Sequence, residues 1–137
     1  DVDVPTIMQG KQAVRQYLQN IKAKGKEASK KELDVYNNML IFNEMMSRGI
    51  EVLPIDIKHS HAMKYLPENG KMRLPFGALS GVGEKAAYSI YEAAQKGDFV
   101  SREDFQIEAG VSKTIIQNLS ELGAMNDLPD TNQISMF

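Results

Sequence analysis

The sequence contains no cysteine at all, and only two histidines and five prolines among its 137 residues. Without cysteine there can be no disulfide framework, no thiolate zinc site and no cysteine nucleophile. Two histidines, at positions 59 and 61, leave little material for a histidine-rich catalytic metal centre. No apolar run approaches the ~18 residues of a membrane span, and no signal peptide opens the chain. A membrane is therefore not among the expected partners. The first residues are Asp1-Val2-Asp3, with no initiating methionine, so a piece of a longer protein is expected. What is present is ordinary for a globular protein: 42% hydrophobic and 25% charged residues. A chain of this length suits one domain and buries roughly two-thirds of its unfolded surface.

The net charge of -2 hides an uneven distribution. Residues 11–32 carry seven Lys/Arg against two Glu, and residues 58–102 carry seven against four acids. The acids concentrate in 33–57 and above all in 103–137, where six face a single lysine. Average charge thus says nothing about local fields.

Val14, Tyr17, Leu18 and Ile21 recur at helical spacing, with Lys22 and Lys24 suited to the negative end of the dipole and Gly25 as a stop. Ser29-Lys30-Lys31-Glu32 reads as a capping box. The helix it opens carries Val35, Tyr36, Met39, Leu40, Phe42 and Met46 as an apolar face and ends at Gly49. From there the period shortens. Ile50, Val52, Ile55 and Ile57 alternate with polar residues around Pro54, predicting an irregular or edge strand. Ala62–Leu66 and Lys71–Leu74 flank Pro67-Glu68-Asn69-Gly70, a turn by composition. His59 and His61 share a face of this extended region, but no nearby acid completes a ligand set, so they read as surface or hydrogen-bonded histidines.

The most informative stretch is Leu79-Ser80-Gly81-Val82-Gly83-Glu84-Lys85-Ala86-Ala87, followed by Ile90, Ala93 and Ala94. Apolar residues surround and divide the two glycines, and a helix with small residues follows at once. This is the pattern of a helix-hairpin-helix element. Glycine permits the tight turn and close backbone approach, and the amides at the start of the second helix make an anion site. Lys85 can add a charge-assisted contact. A strand phosphate fits such a site, and nothing in it reads a base edge. The dinucleotide-binding alternative fails because position 86 is alanine and no parallel-sheet unit surrounds it. A hairpin that merely packs two helices remains the other reading. About thirty residues on, Ser101-Arg102-Glu103-Asp104 resembles a second capping box. Ala109-Gly110-Val111-Ser112-Lys113 then turns into a helix bearing Ile115, Ile116, Leu119 and Leu122. It reads as a degenerate second hairpin, with Ser112 in place of one glycine and Lys113 as the counterpart of Lys85.

After Gly123 periodicity ends in Asn126-Asp127-Leu128-Pro129-Asp130-Thr131-Asn132, an exposed, flexible composition. Yet the chain finishes Gln133-Ile134-Ser135-Met136-Phe137, with three large apolar side chains. Such an end suits a peptide ligand for a partner's pocket; folding back onto the chain is the alternative.

In order, Leu53-Pro54-Ile55-Asp56-Ile57, Leu74-Pro75-Phe76-Gly77-Ala78-Leu79-Ser80-Gly81-Val82-Gly83-Glu84, Gly97 to Asp104, Leu122-Gly123 and Leu128 to Phe137 resemble the C-terminal end of PolC-type replicative DNA polymerase III alpha subunits. The resemblance runs from Ser29 to Phe137 and, more loosely, over residues 1–28. It implies four segments: 1–48, a helical end of the fingers; 49–75, a short β segment; 76–125, a tandem helix-hairpin-helix region on duplex DNA; and 126–137, a sliding-clamp-binding tail. The fold class expected is mainly α with a small antiparallel β-sheet, an N-terminal helical pair, a tandem helix-hairpin-helix unit and a flexible C-terminal tail.

In that family the hairpins contact the backbone of the primer–template duplex, which assigns phosphate binding here to Gly81, Val82, Gly83, Lys85, Val111, Ser112 and Lys113. The terminal pentapeptide binds the β sliding clamp, which assigns that role to Gln133, Ile134, Ser135, Met136 and Phe137. The usual family pentapeptide carries leucine where Ile134 and Met136 stand, substitutions that still fill an apolar pocket. The family's catalytic carboxylates, which hold two Mg²⁺ for nucleotidyl transfer, have no counterpart in this sequence. The resemblance therefore implies a cytoplasmic replisome enzyme as parent and a piece that is inactive alone, with no cofactor of its own. A DNA-repair helix-hairpin-helix module, or a protein-interaction module that never touches DNA, are the competing functional readings.

Overall fold

The computed structural model describes residues 2–97, 101–125 and 128. The expected flexible tail, 126–137 apart from Leu128, lies outside the described residues. Among the described residues six helices and a three-stranded sheet share one hydrophobic core, so the mainly-α class with a small sheet holds.

The chain begins with α1 (Val4–Gln9), started by Asp3, whose carboxylate accepts the Thr6 amide at 3.2 Å, and by Pro5 in the first turn. Sequence periodicity gives no hint of this six-residue helix, which is too short to show a repeat. Gly10, at φ +108°, separates it from α2 (Lys11–Lys24), which buries Val14, Leu18 and Ile21. Gly25 ends α2 at φ +55° and a single 3-10 turn (Gly25–Glu27) leads to α3 (Lys30–Ser47). Both halves of the Ser29 capping box form: the Ser29 hydroxyl accepts the Glu32 amide at 3.1 Å, and the Glu32 carboxylate accepts the Ser29 amide at 3.0 Å. Lys24 of α2 also pairs with Glu32, and with the Ser29 amide it holds that carboxyl below its ordinary pKa. α3 buries only Met39 and Phe42 fully, while Leu40, expected on the buried face, is exposed.

The sheet has the order β1–β3–β2, built from β1 (Val52–Leu53), β2 (Leu66–Glu68) and β3 (Lys71–Arg73). β2 and β3 form an antiparallel hairpin across Asn69-Gly70, both at positive φ (+53° and +81°), the geometry a two-residue hairpin turn demands. Pro67 and Glu68, read as turn residues in the sequence, sit inside β2. β1 joins β3 in parallel, so the sheet is mixed rather than antiparallel throughout. Pro54 stops β1 after two residues because it has no amide to donate to a ladder. Ile55 and Ile57, expected to continue the strand, are buried in a loop, and the Ile57 amide donates to the Ala124 carbonyl at 3.1 Å. Arg73 locks the hairpin with a bidentate pair to Glu68 (2.6 and 2.9 Å) and a third bond to the Pro54 carbonyl at 2.9 Å. That guanidinium holds the Glu68 carboxyl below its ordinary pKa.

Two contacts tie this loop to the chain beyond the sheet. Ser60 is buried; its hydroxyl donates to the Leu74 carbonyl at 2.7 Å and accepts the Asp56 amide at 3.0 Å. The 3-10 turn Phe76–Ala78 is drawn against residues 61–62 by amide bonds from Phe76 to His61 (3.0 Å) and from Gly77 to Ala62 (2.8 Å). The approach is close: a Cβ on Gly77 would lie 3.2 Å from the Ala62 carbonyl oxygen and would displace the end of the Met63 side chain. The last three helices, α4 (Glu84–Lys96), α5 (Arg102–Ala109) and α6 (Lys113–Glu121), pack around Phe105, Ile90 and Leu119, joined by Val82 and Met125.

Because Ser60→Ala strands one buried carbonyl and one amide, it should cost about 2 kcal/mol, read from urea unfolding. A variant as stable as the parent removes Ser60 from this role.

Candidate nucleic-acid interface

The first hairpin is built on an unusually short first element. Instead of a full helix, the 3-10 turn Phe76–Ala78 precedes the loop, as Pro75 before it and Gly77 within it disfavour anything longer. The loop then reverses at Gly81, whose φ of +87° is one L-residues rarely adopt. Val82 turns inward, 4% exposed, and its amide donates to the Leu79 carbonyl at 3.2 Å. Gly83 is the N-cap of α4 at φ -76°, a conformation open to any residue, and a Cβ added there would meet nothing within 4 Å. Among the described residues neither conformation nor packing therefore calls for glycine at 83.

The consequence lies in the first turn of α4. The Ala87 amide makes the first helical bond, to the Gly83 carbonyl at 2.9 Å. Gly83 offers no side-chain cap, and among the described residues no acceptor meets the amides of Glu84, Lys85 and Ala86. Three donors and the positive end of a 13-residue helix thus face outward beside the exposed Lys85. Glu84, also in this turn, opposes an anion in part.

The second hairpin resembles the first in outline and differs in chemistry. Gly110 is left-handed (φ +66°) and closes α5, Val111 is half-buried against the core, and Ser112 is the N-cap of α6. The Ser112 hydroxyl accepts the Ile115 amide at 3.3 Å, so this site fills one of its own donors. By sequence alone Ser112 reads as a missing glycine; the geometry makes it a cap. The serine three residues before Ile115 is the available signal. Lys113 is exposed, as Lys85 is. Around the pair, Ser101 caps α5 through the Asp104 amide (3.0 Å), Lys96 reaches Glu108 at 2.5 Å, and Arg102 donates to the Met125 carbonyl at 3.2 Å.

The histidines do not converge on a metal site. Nδ1 of His61 accepts the amides of Met63 (3.1 Å) and Lys64 (3.2 Å), and its ring packs 4.5 Å from that of Tyr91. His59 lies 3.6 Å from the Asp56 carboxylate. Among the described residues no three histidine, aspartate or glutamate side chains are grouped as metal ligands. No helix among them is long and apolar enough to cross a membrane. Gln133 to Phe137 lie outside the described residues.

Two substitutions probe the turns. Gly81→Ala should destabilise by about 1–2 kcal/mol because of its positive φ, and Ser112→Ala by about 1 kcal/mol through loss of the cap. Both are read from denaturant midpoints; unchanged midpoints contradict this geometry.

Comparison with known proteins agrees with the two turns. A family model described as "Helix-hairpin-helix motif" matches residues 49–134, more than half of the chain. "DNA polymerase III PolC-type" of Bacillus cereus is 39% identical over 137 residues, covering 100% of this chain and 10% of that protein. The Bacillus subtilis protein of the same description is 36% identical with the same coverage. That of Streptococcus sanguinis is 33% identical, over 98% of this chain and 9% of its own length. The chain thus spans about a tenth of the length of the curated relatives it matches. With its two hairpins and this similarity along its whole length, the chain belongs to the helix-hairpin-helix motif family and is a PolC-related region.

Proposed function

We propose that this chain is the part of a PolC-type replicative DNA polymerase that holds the primer–template duplex by its phosphates without reading sequence, and whose tail tethers the enzyme to the β sliding clamp. The observation that carries the first half is the uncapped start of α4. Its three amides without acceptors, the helix dipole and Lys85 together suit a strand phosphate. Nothing among the described residues calls for glycine at 83, and it leaves the approach clear for an external backbone.

In this reading the residues divide by role. Gly81 supplies the reversal, and Val82 and Val111 anchor the two apices in the core. Gly83 and Lys85 meet one phosphate, and Ser112 and Lys113 meet a second, more weakly because Ser112 already caps its own helix. Contacts of this kind position a duplex and carry no base information. Two neutralised phosphates correspond to a log–log salt slope of about -2.

The segment boundaries accord with the same reading: 1–48 as the end of the fingers, 49–75 as the β segment, 76–125 for the duplex and 126–137 for the clamp. The clamp tail is supported by its sequence: Gln133, Ser135 and Phe137 with apolar Ile134 and Met136 between them. Two weak contacts, to DNA and to a ring around the same DNA, raise each other's effective concentration and so lengthen residence. Nucleotidyl transfer, its carboxylates and its Mg²⁺ are assigned to the rest of a cytoplasmic parent enzyme, and this chain alone is expected to be inactive.

Gly83→Ser separates binding from folding. A serine cap should stabilise the chain by a few tenths of a kcal/mol while weakening duplex affinity roughly tenfold, since its hydroxyl takes the Ala86 amide. Unchanged or tighter duplex binding overturns the phosphate assignment. Deleting Gln133 to Phe137 should abolish clamp binding in surface plasmon resonance and leave duplex affinity intact; clamp binding that survives removes the tail from that role.

A further inference from the structure

Between α3 and the 3-10 turn Phe76–Ala78 runs a groove of about 320 Å³. Its walls include Ile41, Phe42, Met45, Met63, Tyr65 and Met72, and none of its lining residues is charged. Ile41 is 60% exposed, Met63 40% and Tyr65 39%. Apolar side chains gathered this way at a surface mark a site of contact. An uncharged wall is no place for a phosphate chain, so the groove suits an apolar protein segment rather than nucleic acid. Three methionines make it adaptable, since their unbranched thioethers mould to an incoming side chain.

Its position gives it a consequence. Gly77 and Ala78 form part of the lining, and the chain runs from them directly into the turn Leu79–Gly83. The amide of Gly77 donates to the Ala62 carbonyl at 2.8 Å, which ties the turn to the segment that carries Met63. Whatever fills the groove therefore sits against the back of the first hairpin.

We propose that the groove receives an apolar segment of the remainder of the longer polymerase polypeptide, and so fixes the first hairpin relative to that body. This rests on the reading that the chain is part of such a polymerase. The relatives are about ten times its length, so some nine-tenths of such a polypeptide lies outside it. A covalently joined segment meets the groove at high effective concentration. A second copy must instead give up free translation and rotation to do so.

The test places a photo-cross-linker in the full-length polymerase as Ile41→p-benzoylphenylalanine, at a side chain exposed enough to leave the core intact. A control carries the same group at Ile107, on α5 and 73% exposed. Capture of a peptide from outside these 137 residues but within the same polypeptide, independent of protein concentration and at least tenfold above the Ile107 control, is the expected result. Capture of a second copy, capture only within the 137 residues, no capture, or equal capture from position 107 each overturns the proposal. Duplex affinity of the same proteins is measured in parallel. Failure of the groove leaves it unchanged, whereas failure of the duplex reading appears as absent DNA binding with the cross-link intact.

Discussion

Val82 is buried between two exposed glycines, and that one inward side chain holds the hairpin apex in place. Its burial with Leu79, Ala87 and Ile90 makes the turn part of the core. Its amide, bonded to Leu79, closes the turn from within. Gly81 then supplies the reversal that lets α4 start immediately, with Gly83 at its N-cap. The open amides of α4 are a consequence of glycine at the N-cap, a position where the surrounding packing does not require it. A rigid, desolvated anchor one residue away is also what keeps those donors in fixed positions, where they lose little freedom on meeting an anion. The Ser60 and Gly77 contacts extend the anchor backwards, tying the loop from Asp56 to Ser60 and the wall at residues 61–63 to the same turn.

Charge works locally in this molecule. The net value of -2 suggests indifference to polyanions, yet Lys85 and Lys113 are exposed beside helix N-termini, where a cation and a dipole act together. Several other basic groups are engaged within the chain. Arg73 is locked to Glu68, Lys71 lies 3.0 Å from Glu51, Lys96 reaches Glu108 and Lys24 reaches Glu32. The two hairpins are unequal for a related reason. Ser112 spends one donor of α6 on its own hydroxyl, whereas Gly83 spends none.

The features legible in advance are those that repeat or are spelled locally. The stripe Val14, Leu18 and Ile21, the Ser29 capping box, the Asn69-Gly70 turn and the paired glycines 81 and 83 all stand where their sequence patterns put them. Three features escape such reading because they are decided by partners distant in the chain. Ile55 and Ile57 carry a strand pattern, but Pro54 ends the ladder and the core and Ala124 take them up instead. β1 looks like one more antiparallel strand, and only the path of residues 54–65 brings β3 alongside it in parallel. Leu40 belongs to an apolar face by spacing, yet nothing among the described residues covers that side of α3. Ser112 is the subtler case: its residue type is visible, and its function as a cap depends on where α6 starts.

The phosphate site proposed at the start of α4 is independent of DNA sequence. It is tested most directly by following backbone amide resonances of the 137-residue chain during titration with short duplexes of unrelated sequence. Gly83, Glu84, Lys85 and Ala86 are expected to shift most and Ser112 to Thr114 less, with the same pattern for every duplex and a loss of both as salt rises. Shifts that depend on sequence, that centre elsewhere, or that leave the first turn of α4 unmoved would contradict it.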